Sequence, residues 1–208
     1  PGAVAREMRR WADSLAERGQ PPTADTAADA AAALRQLAKR QLLCALRDGP
    51  YGSDAINAAV ERHLRQRWQV PVDEAWYPGR VVMVTRNHYG AGLFDGDLGL
   101  CLRASDGALQ VWFESEDGAR AFAPGALPAH EPAWALTIHK SQGSEYGHAA
   151  VLLPPDPEHR ILSRQLPYKA PVRARHSVEL WGPRASIGAA LARRVVRAGG
   201  LADRLGGP

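Results

Sequence analysis

The sequence predicts an α/β sheet domain interrupted by a small β-barrel. Three observations lead there: segments of helical period near both ends, a central stretch from Gly79 whose period shortens to strands between glycine turns, and apolar strand-like runs on both sides of it. With 208 residues, 45% of them hydrophobic, the chain can bury one sizeable core or two small ones, and its composition is not that of a disordered segment.

The elements follow in order. Residues 3–18 place Val4, Met8, Trp11 and Leu15 at helical spacing, and Gly19 with Pro21 and Pro22 ends the run. A second helix is expected over 27–39, where alanine supplies helix propensity but little bulk for a dedicated core element. Residues 40–46 read as a buried strand stopped by Asp48-Gly49-Pro50. Ser53 or Asp54 is the expected cap of a helix reaching Trp68, with Ile56, Val60 and Leu64 on one stripe.

Strands are then expected at 80–86, 98–103, 108–114 and 119–123. Asp106-Gly107 and Asp117-Gly118 are hairpin signals, and the loop 87–97 carries Gly90, Gly92 and Gly96. A β unit of about fifty residues is marginal alone and needs the flanking helices to pack against. Beyond Pro132, strands at 133–139 and 148–153 enclose the polar turn 140–145. Residues 178–181 are strand-like, and Ser186 is the expected cap of a last helix running through Arg197.

Composition narrows the function classes. There is no apolar run of about eighteen residues and no signal-peptide layout, so the expectation is a cytoplasmic protein with no membrane partner, and the opening Pro1-Gly2 suggests a fragment. Cys44 and Cys101 sit in separate apolar stretches and read as buried hydrophobes, and the seven histidines show no ligand spacing, so no metal site is expected. Net charge is +4, yet only Lys39, Lys140 and Lys169 of the 26 cationic residues are lysines. The arginines gather at 62–67 and again at Arg160, Arg164, Arg173, Arg175, Arg193, Arg194 and Arg197. That pattern permits contact with nucleic acid or nucleotide. It is also what an arginine-rich chain shows when it solvates its helices, and charge alone favours that plainer reading.

The segment from Thr137 through Glu145 carries the most chemistry. On a strand, Thr137 and His139 would share a face, and the turn beyond would gather hydroxyls, an amide, a carboxylate and an unhindered glycine N–H. Such a loop can grip phosphate and ribose; an ordinary polar turn at a strand end has the same residue types. No Ser/His/Asp or paired-carboxylate arrangement supports a stand-alone hydrolase.

The stretch 134–146, Trp-Ala-Leu-Thr-Ile-His-Lys-Ser-Gln-Gly-Ser-Glu-Tyr, resembles motif V of superfamily 1 helicases in the form used by the RecD family. Residues 79–87 and 92–99 resemble the segment that precedes it there and begins an SH3-like insertion. Residues 41–57 resemble the motif IV region, and 178–182 resemble the strand after motif VI. In the family's order the resemblance covers 35–205. It implies a RecA-like second motor domain in two pieces, 1–78 and 132–208, interrupted by an SH3-like β-barrel at 79–131.

The implied function is that of a C-terminal fragment of an ATP-dependent 5′-to-3′ DNA helicase subunit. Its setting would be a recombination and repair helicase-nuclease, exodeoxyribonuclease V, with RecB- and RecC-like subunits as partners. ATP and Mg2+ would be shared with a first motor domain absent from this chain. Glu145 would contact the ribose, Gln142 and Gly143 would lie near the phosphates, Thr137 and His139 would approach single-stranded DNA, and Arg47 is a further candidate for a phosphate contact.

Residues 165–175, Gln-Leu-Pro-Tyr-Lys-Ala-Pro-Val-Arg-Ala-Arg, keep the register of motif VI but depart from it at five positions. Arg173 matches the finger arginine, which stabilises charge on the transferring phosphoryl group. Pro171 falls where the family has a helix interior and costs about 3 kcal/mol if that helix is kept; Pro167 can sit in its first turn. The alternative reading is therefore a non-catalytic DNA- or subunit-binding module with a decayed nucleotide face. The three lysines follow Ala38, His139 and Tyr168, so there is no Gly-Lys-Ser/Thr phosphate-binding loop. Asp73-Glu74-Ala75 resembles a magnesium-binding acidic pair, but it follows Val70-Pro71-Val72 and reads as a solvated turn.

Overall fold

The computed structural model describes residues 2–17, 23–164 and 174–192. Helix α1 (Gly2–Glu17) and helix α2 (Ala27–Leu37) precede strand β1 (Arg40–Cys44) and helix α3 (Ser53–Arg67). Five short strands follow: β2 (Val81–Val84), β3 (Leu98–Arg103), β4 (Leu109–Ser115), β5 (Gly118–Phe122) and β6 (His130–Pro132). Then come β7 (Ala135–Thr137), β8 (Tyr146–Leu152), α4 (Ile161–Arg164), β9 (Ala174–Trp181) and α5 (Arg184–Ala192).

Two sheets result. One is parallel, with the order β7-β1-β8-β9, and the other is antiparallel, with the order β5-β4-β3-β2-β6. Parallel neighbours need a crossover, and between β1 and β7 that crossover holds α3 and the whole second sheet. Leu42, Leu43 and Cys44 of β1 are fully buried, as a strand flanked on both sides requires. In the antiparallel sheet β2 is buried on both faces. Val81 and Met83 join Leu100, Leu102, Trp112 and Ala119 in the main core, while Val82 and Val84 turn to Leu93, Cys101, Val111 and Phe113 in a smaller one. The second sheet thus depends on packing from outside itself.

Helix α2 is the surface it packs on. Its alanines predict little bulk for a dedicated core element, yet Ala30, Ala31 and Leu34 are buried and the helix packs on β3, β4 and β5. Small side chains let the helix axis come close, and the Ala31 methyl lies 3.8 Å from where a side chain on Gly118 would begin. Thr26 and Asp29 form a reciprocal capping box at the start of α2. On α1, Trp11 meets Trp181 edge-on at 5.8 Å, and the Arg40 guanidinium lies over the Trp11 ring at 4.9 Å.

Two expected caps are also corrected. The N-cap of α3 is Gly52, with no side-chain cap; Ser53 is buried and the Asp54 carboxylate is turned to Arg47. Glycine is required at 52 because a Cβ there would lie 2.1 Å from the Arg47 carbonyl oxygen. Ser186 lies inside α5 and donates from its hydroxyl to the Pro155 carbonyl. The expected stripe of Ile56, Val60 and Leu64 is buried on α3, and Asp73 and Glu74 are exposed.

The connection entering the antiparallel sheet is tied to α3. Glu61 accepts from the Tyr77 hydroxyl at 3.1 Å and from Arg80 Nε at 3.0 Å, and Arg65 donates to the carbonyls of Pro71 and Glu74. Trp76 lies under the Arg80 guanidinium and beside the His130 ring, so the entering and leaving chains touch. Among the described residues no helix is long and apolar enough to cross a membrane.

Candidate functional site

Strand β7 is short and terminal in its sheet, and one buried side chain holds it. Asn57 on α3 donates from Nδ2 to the Ala135 carbonyl at 2.9 Å, and its Oδ1 accepts the Ala135 N–H at 2.8 Å. The amide takes the place of a neighbouring strand on the outer side of β7. Gln41 reinforces this by donating to the Trp134 carbonyl at 3.2 Å.

The chain leaves β7 at Thr137, so the expected strand over 133–139 ends two residues early. His139 is exposed in the turn, Ile138 is buried, and Thr137 with His139 do not share a strand face. Successive tight turns then run to Glu145. The Lys140 N–H donates to Thr137 Oγ1 at 3.2 Å, the Ser141 N–H to the Thr137 carbonyl at 3.0 Å, and the buried Ser141 hydroxyl to the Ile138 carbonyl at 2.9 Å. Gly143 closes the series at φ +95°, a left-handed conformation that favours glycine.

This loop crosses the sheet from end to end. Thr137 is level with Cys44, the last residue of β1, whereas Glu145 precedes Tyr146 at the start of β8, beyond the level where His148 pairs with Arg40. Four residue rises along β1 separate those levels, about 13 Å. The loop's polar groups, expected together from the sequence, are distributed between two ends of a sheet.

At the carboxyl end, Arg47 follows β1 and Lys140 follows β7. Glu131 of β6 lies between them, Oε2 on Arg47 Nη2 at 3.2 Å and Oε1 on Lys140 Nζ at 3.0 Å; Asp54 takes Arg47 Nε at 3.3 Å. The carboxylate of Glu131 first, and that of Asp54 second, push the proton affinity of Arg47 above its ordinary value.

At the amino end, Glu145 Oε2 receives Arg175 Nε at 2.8 Å and Nη2 at 2.7 Å. A cavity of ≈ 700 Å³ opens beside this pair, lined by Gly143, Ser144 and Glu145, by Arg35 and Lys39 around the end of α2, by Asp97 just before β3 and Glu114 of β4, and by Arg175 and His176. A volume in this range suits a small-molecule ligand. Gln142 is exposed on the loop, and Arg173, Pro167 and Pro171 lie outside the described residues.

Of the residues chosen from sequence, Gly143 and Glu145 share the cavity, and Arg47 and Thr137 are joined through Glu131 and Lys140. Asn57, Glu131 and Lys140 belong to these ends without having been candidates from sequence. Glu131 is 84 residues from Arg47 and carries no local pattern; Lys140, inside the motif V stretch, was the one with a visible signal. Burial raises the thiols of Cys44 and Cys101 to about 12, the state of inert core residues.

Comparison with known proteins bears on this loop directly. Residues 132–180 match the UvrD-like helicase C-terminal domain, a span that includes β7, the loop and β8. The RecBCD enzyme subunit RecD of Mycolicibacterium smegmatis is 42% identical over 173 residues, which is 83% of this chain and 30% of the relative. The chain belongs to the RecD family. It spans under a third of the length of that RecD relative. An ATP-dependent RecD2 DNA helicase of Deinococcus radiodurans is 35% identical over 139 residues, covering 65% of the chain and 19% of the relative. Among solved structures, the Pif1 helicase of Candida albicans aligns with 86% of the chain and 54% of its own length at 18% identity, with a TM-score of 0.44.

Proposed function

We propose that the chain is the second half of an ATP-dependent, 5′-to-3′ DNA helicase motor, and that the loop between β7 and β8 couples nucleotide state at one end of the parallel sheet to grip on single-stranded DNA at the other. The observation that carries this reading is the course of the loop, which puts Thr137 and His139 at the carboxyl end and Gly143 and Glu145 at the amino end. Membership of the RecD family supports the motor reading, as do the roles of its relatives as a RecBCD subunit and an ATP-dependent helicase.

At the amino end the residues present fit a nucleotide. Arg35, Lys39 and Arg175 offer cations for phosphates, the Gly143 backbone is unhindered, and Glu145 offers a carboxylate for a ribose hydroxyl. Gln142 flanks the phosphates, and Arg173, outside the described residues, is assigned the finger role. No cluster of acidic, histidine or cysteine side chains suited to a metal is found among the described residues, and the ligands of Mg2+ are assigned to the first motor half. That half supplies the phosphate-binding loop this sequence lacks, and the chain alone is expected to leave ATP intact. At the carboxyl end Thr137, His139 and Arg47 contact the DNA backbone.

The same reading assigns 1–78 and 132–208 to the motor and 79–131 to an SH3-like insertion. Its support is the strand order, with the first strand β2 between β3 and the last strand β6, a long loop after β2, and a 3-10 turn at Pro124–Ala126 before β6. Recombination and repair, with RecB- and RecC-like partners, is the assigned setting. The alternative of a decayed nucleotide face rests on Pro167 and Pro171.

The test is fluorescence anisotropy of labelled oligothymidylate across a salt series, for the chain and for Thr137→Ala/His139→Ala. Salt-sensitive binding that weakens in the double variant is expected, with a slope that flattens for each phosphate no longer engaged. Binding indifferent to both substitutions would remove the DNA role of the loop.

A further inference from the structure

Resting on the reading that the carboxyl end of the sheet faces single-stranded DNA, we propose that Glu131 is an electrostatic gate there and that Lys140 is a further phosphate-contacting residue. Glu131 holds Arg47 and Lys140 around one anion and yields them to a backbone phosphodiester when the strand arrives. A carboxylate presents two oxygens that share one charge, as does the pair of non-bridging oxygens of a phosphodiester. Here each oxygen takes one cation, Oε1 the Lys140 ammonium and Oε2 the Arg47 guanidinium. The two cations are therefore already spaced for one small anion with two acceptor oxygens.

The surroundings allow exchange. The Arg47 side chain is 53% exposed and that of Lys140 25%, so an incoming phosphate can reach both. Asp54 keeps its own hold on Arg47 Nε and fixes the guanidinium while its Nη2 is handed over. The Lys140 N–H bond to Thr137 Oγ1 places the lysine on the same turn as Thr137 and His139, the residues proposed to meet DNA. Ion pairs this exposed are worth little, because water screens them and long side chains lose freedom. Binding to a phosphate adds release of condensed counterions, which the carboxylate cannot offer. The exchange therefore favours the strand at low salt and the closed carboxylate at high salt. Glu131 also sits on β6, at the exit of the antiparallel sheet, so the position of that sheet sets how firmly the gate is shut.

The experiment uses the 208-residue chain and labelled oligothymidylate across a sodium chloride series, with Glu131→Gln, Lys140→Gln and the two combined, each checked for folding by circular dichroism. Glu131→Gln keeps the shape and removes the charge. It is expected to tighten binding roughly two- to fivefold at low salt, the return of an exposed pair, and to steepen the salt slope by up to about 0.7 for the one phosphate engaged. Lys140→Gln is expected to weaken binding and flatten the slope by about 0.7, and to remove part of the gain in the combined variant. Unchanged or weaker binding by Glu131→Gln, with Thr137→Ala/His139→Ala still lowering affinity, would overturn the gate and leave the motor-face reading standing. An unchanged slope in Lys140→Gln would overturn the lysine's role even if Glu131→Gln proved too unstable to read. Absence of binding by both the parent chain and Glu131→Gln would overturn the gate and the DNA reading together.

Discussion

The two ends of the parallel sheet use the same kind of chemistry at different strength. At the carboxyl end, Glu131 is a half-buried node shared by cations from two different crossovers, with Asp54 as a second acid. At the amino end, Glu145 and Arg175 form one exposed pair beside an open cavity. A shared node ties segments together, and an exposed pair can exchange its partner for a ligand at little cost. One loop joins the two.

The sharpest way to break that comparison is to release β7, because both ends depend on it. Asn57→Ala leaves the Ala135 N–H and carbonyl buried without a partner and is expected to cost about 2–4 kcal/mol. The measurement is thermal unfolding, where a loss of this size lowers the midpoint by roughly 5–15 °C, together with loss of oligothymidylate binding. A midpoint within a degree or so of the parent would mean that β7 is held by its pairing with β1 alone.

A second measurement probes the core that both ends share. The thiols of Cys44 and Cys101 are raised by burial from 9.0 to about 12. Above pH 9 the unfolded chain releases those protons while the folded chain retains them, so stability present below pH 9 is lost as pH rises toward 12. Burial raises Tyr77 as well, which acts in the same direction above pH 10. The urea midpoint should fall between about pH 8 and about pH 10, reflecting a loss of unfolding free energy of about 1.4 kcal/mol for each thiol at the upper value. A level midpoint would show that neither thiol is buried in the folded state.

The third sharpens the contrast between the ends. Glu131→Gln severs two partly screened pairs and is expected to cost about 1–2 kcal/mol, whereas Arg175→Ala should change stability by less than about 1 kcal/mol. Equal costs in chemical denaturation would say that the amino-end pair is structural, and would weaken its assignment to a ligand.

How much of this was legible in the sequence depended on the range of the interaction. Strand β3, the second half of β9, helix α3 and its buried stripe follow from residue period within one element, whereas Ala174–Ser177, the first half of β9, showed no strand pattern; the hairpins at Gly107 and Gly118 follow from residue types that accept a left-handed turn. The caps failed because Ser53, Asp54 and Ser186 can each satisfy a helix end or a distant partner; Asp54 is drawn to Arg47 and Ser186 to Pro155, while Ser53 is buried. Strand β7 failed at its end for a related reason: the alternation of residue types continues through His139, while the Thr137 hydroxyl turns the chain by accepting the Lys140 N–H. Helix α2 was undervalued because alanine looks featureless until a sheet lies within van der Waals reach of it.

The sequence by itself determined the division into helical and short-strand regions and the residue types able to meet phosphate or ribose, since these are properties of neighbours along the chain, and it carried the resemblance of residues 134–146 to motif V. Only the tertiary structure decided that Thr137 and Glu145 lie at opposite ends of a sheet, that Asn57 stands in for a missing strand, and that Glu131 reaches Arg47 and Lys140. Those interactions join segments up to 84 residues apart, and a pattern read residue by residue carries no record of which distant side chains the packing of a core will bring within hydrogen-bonding reach of each other.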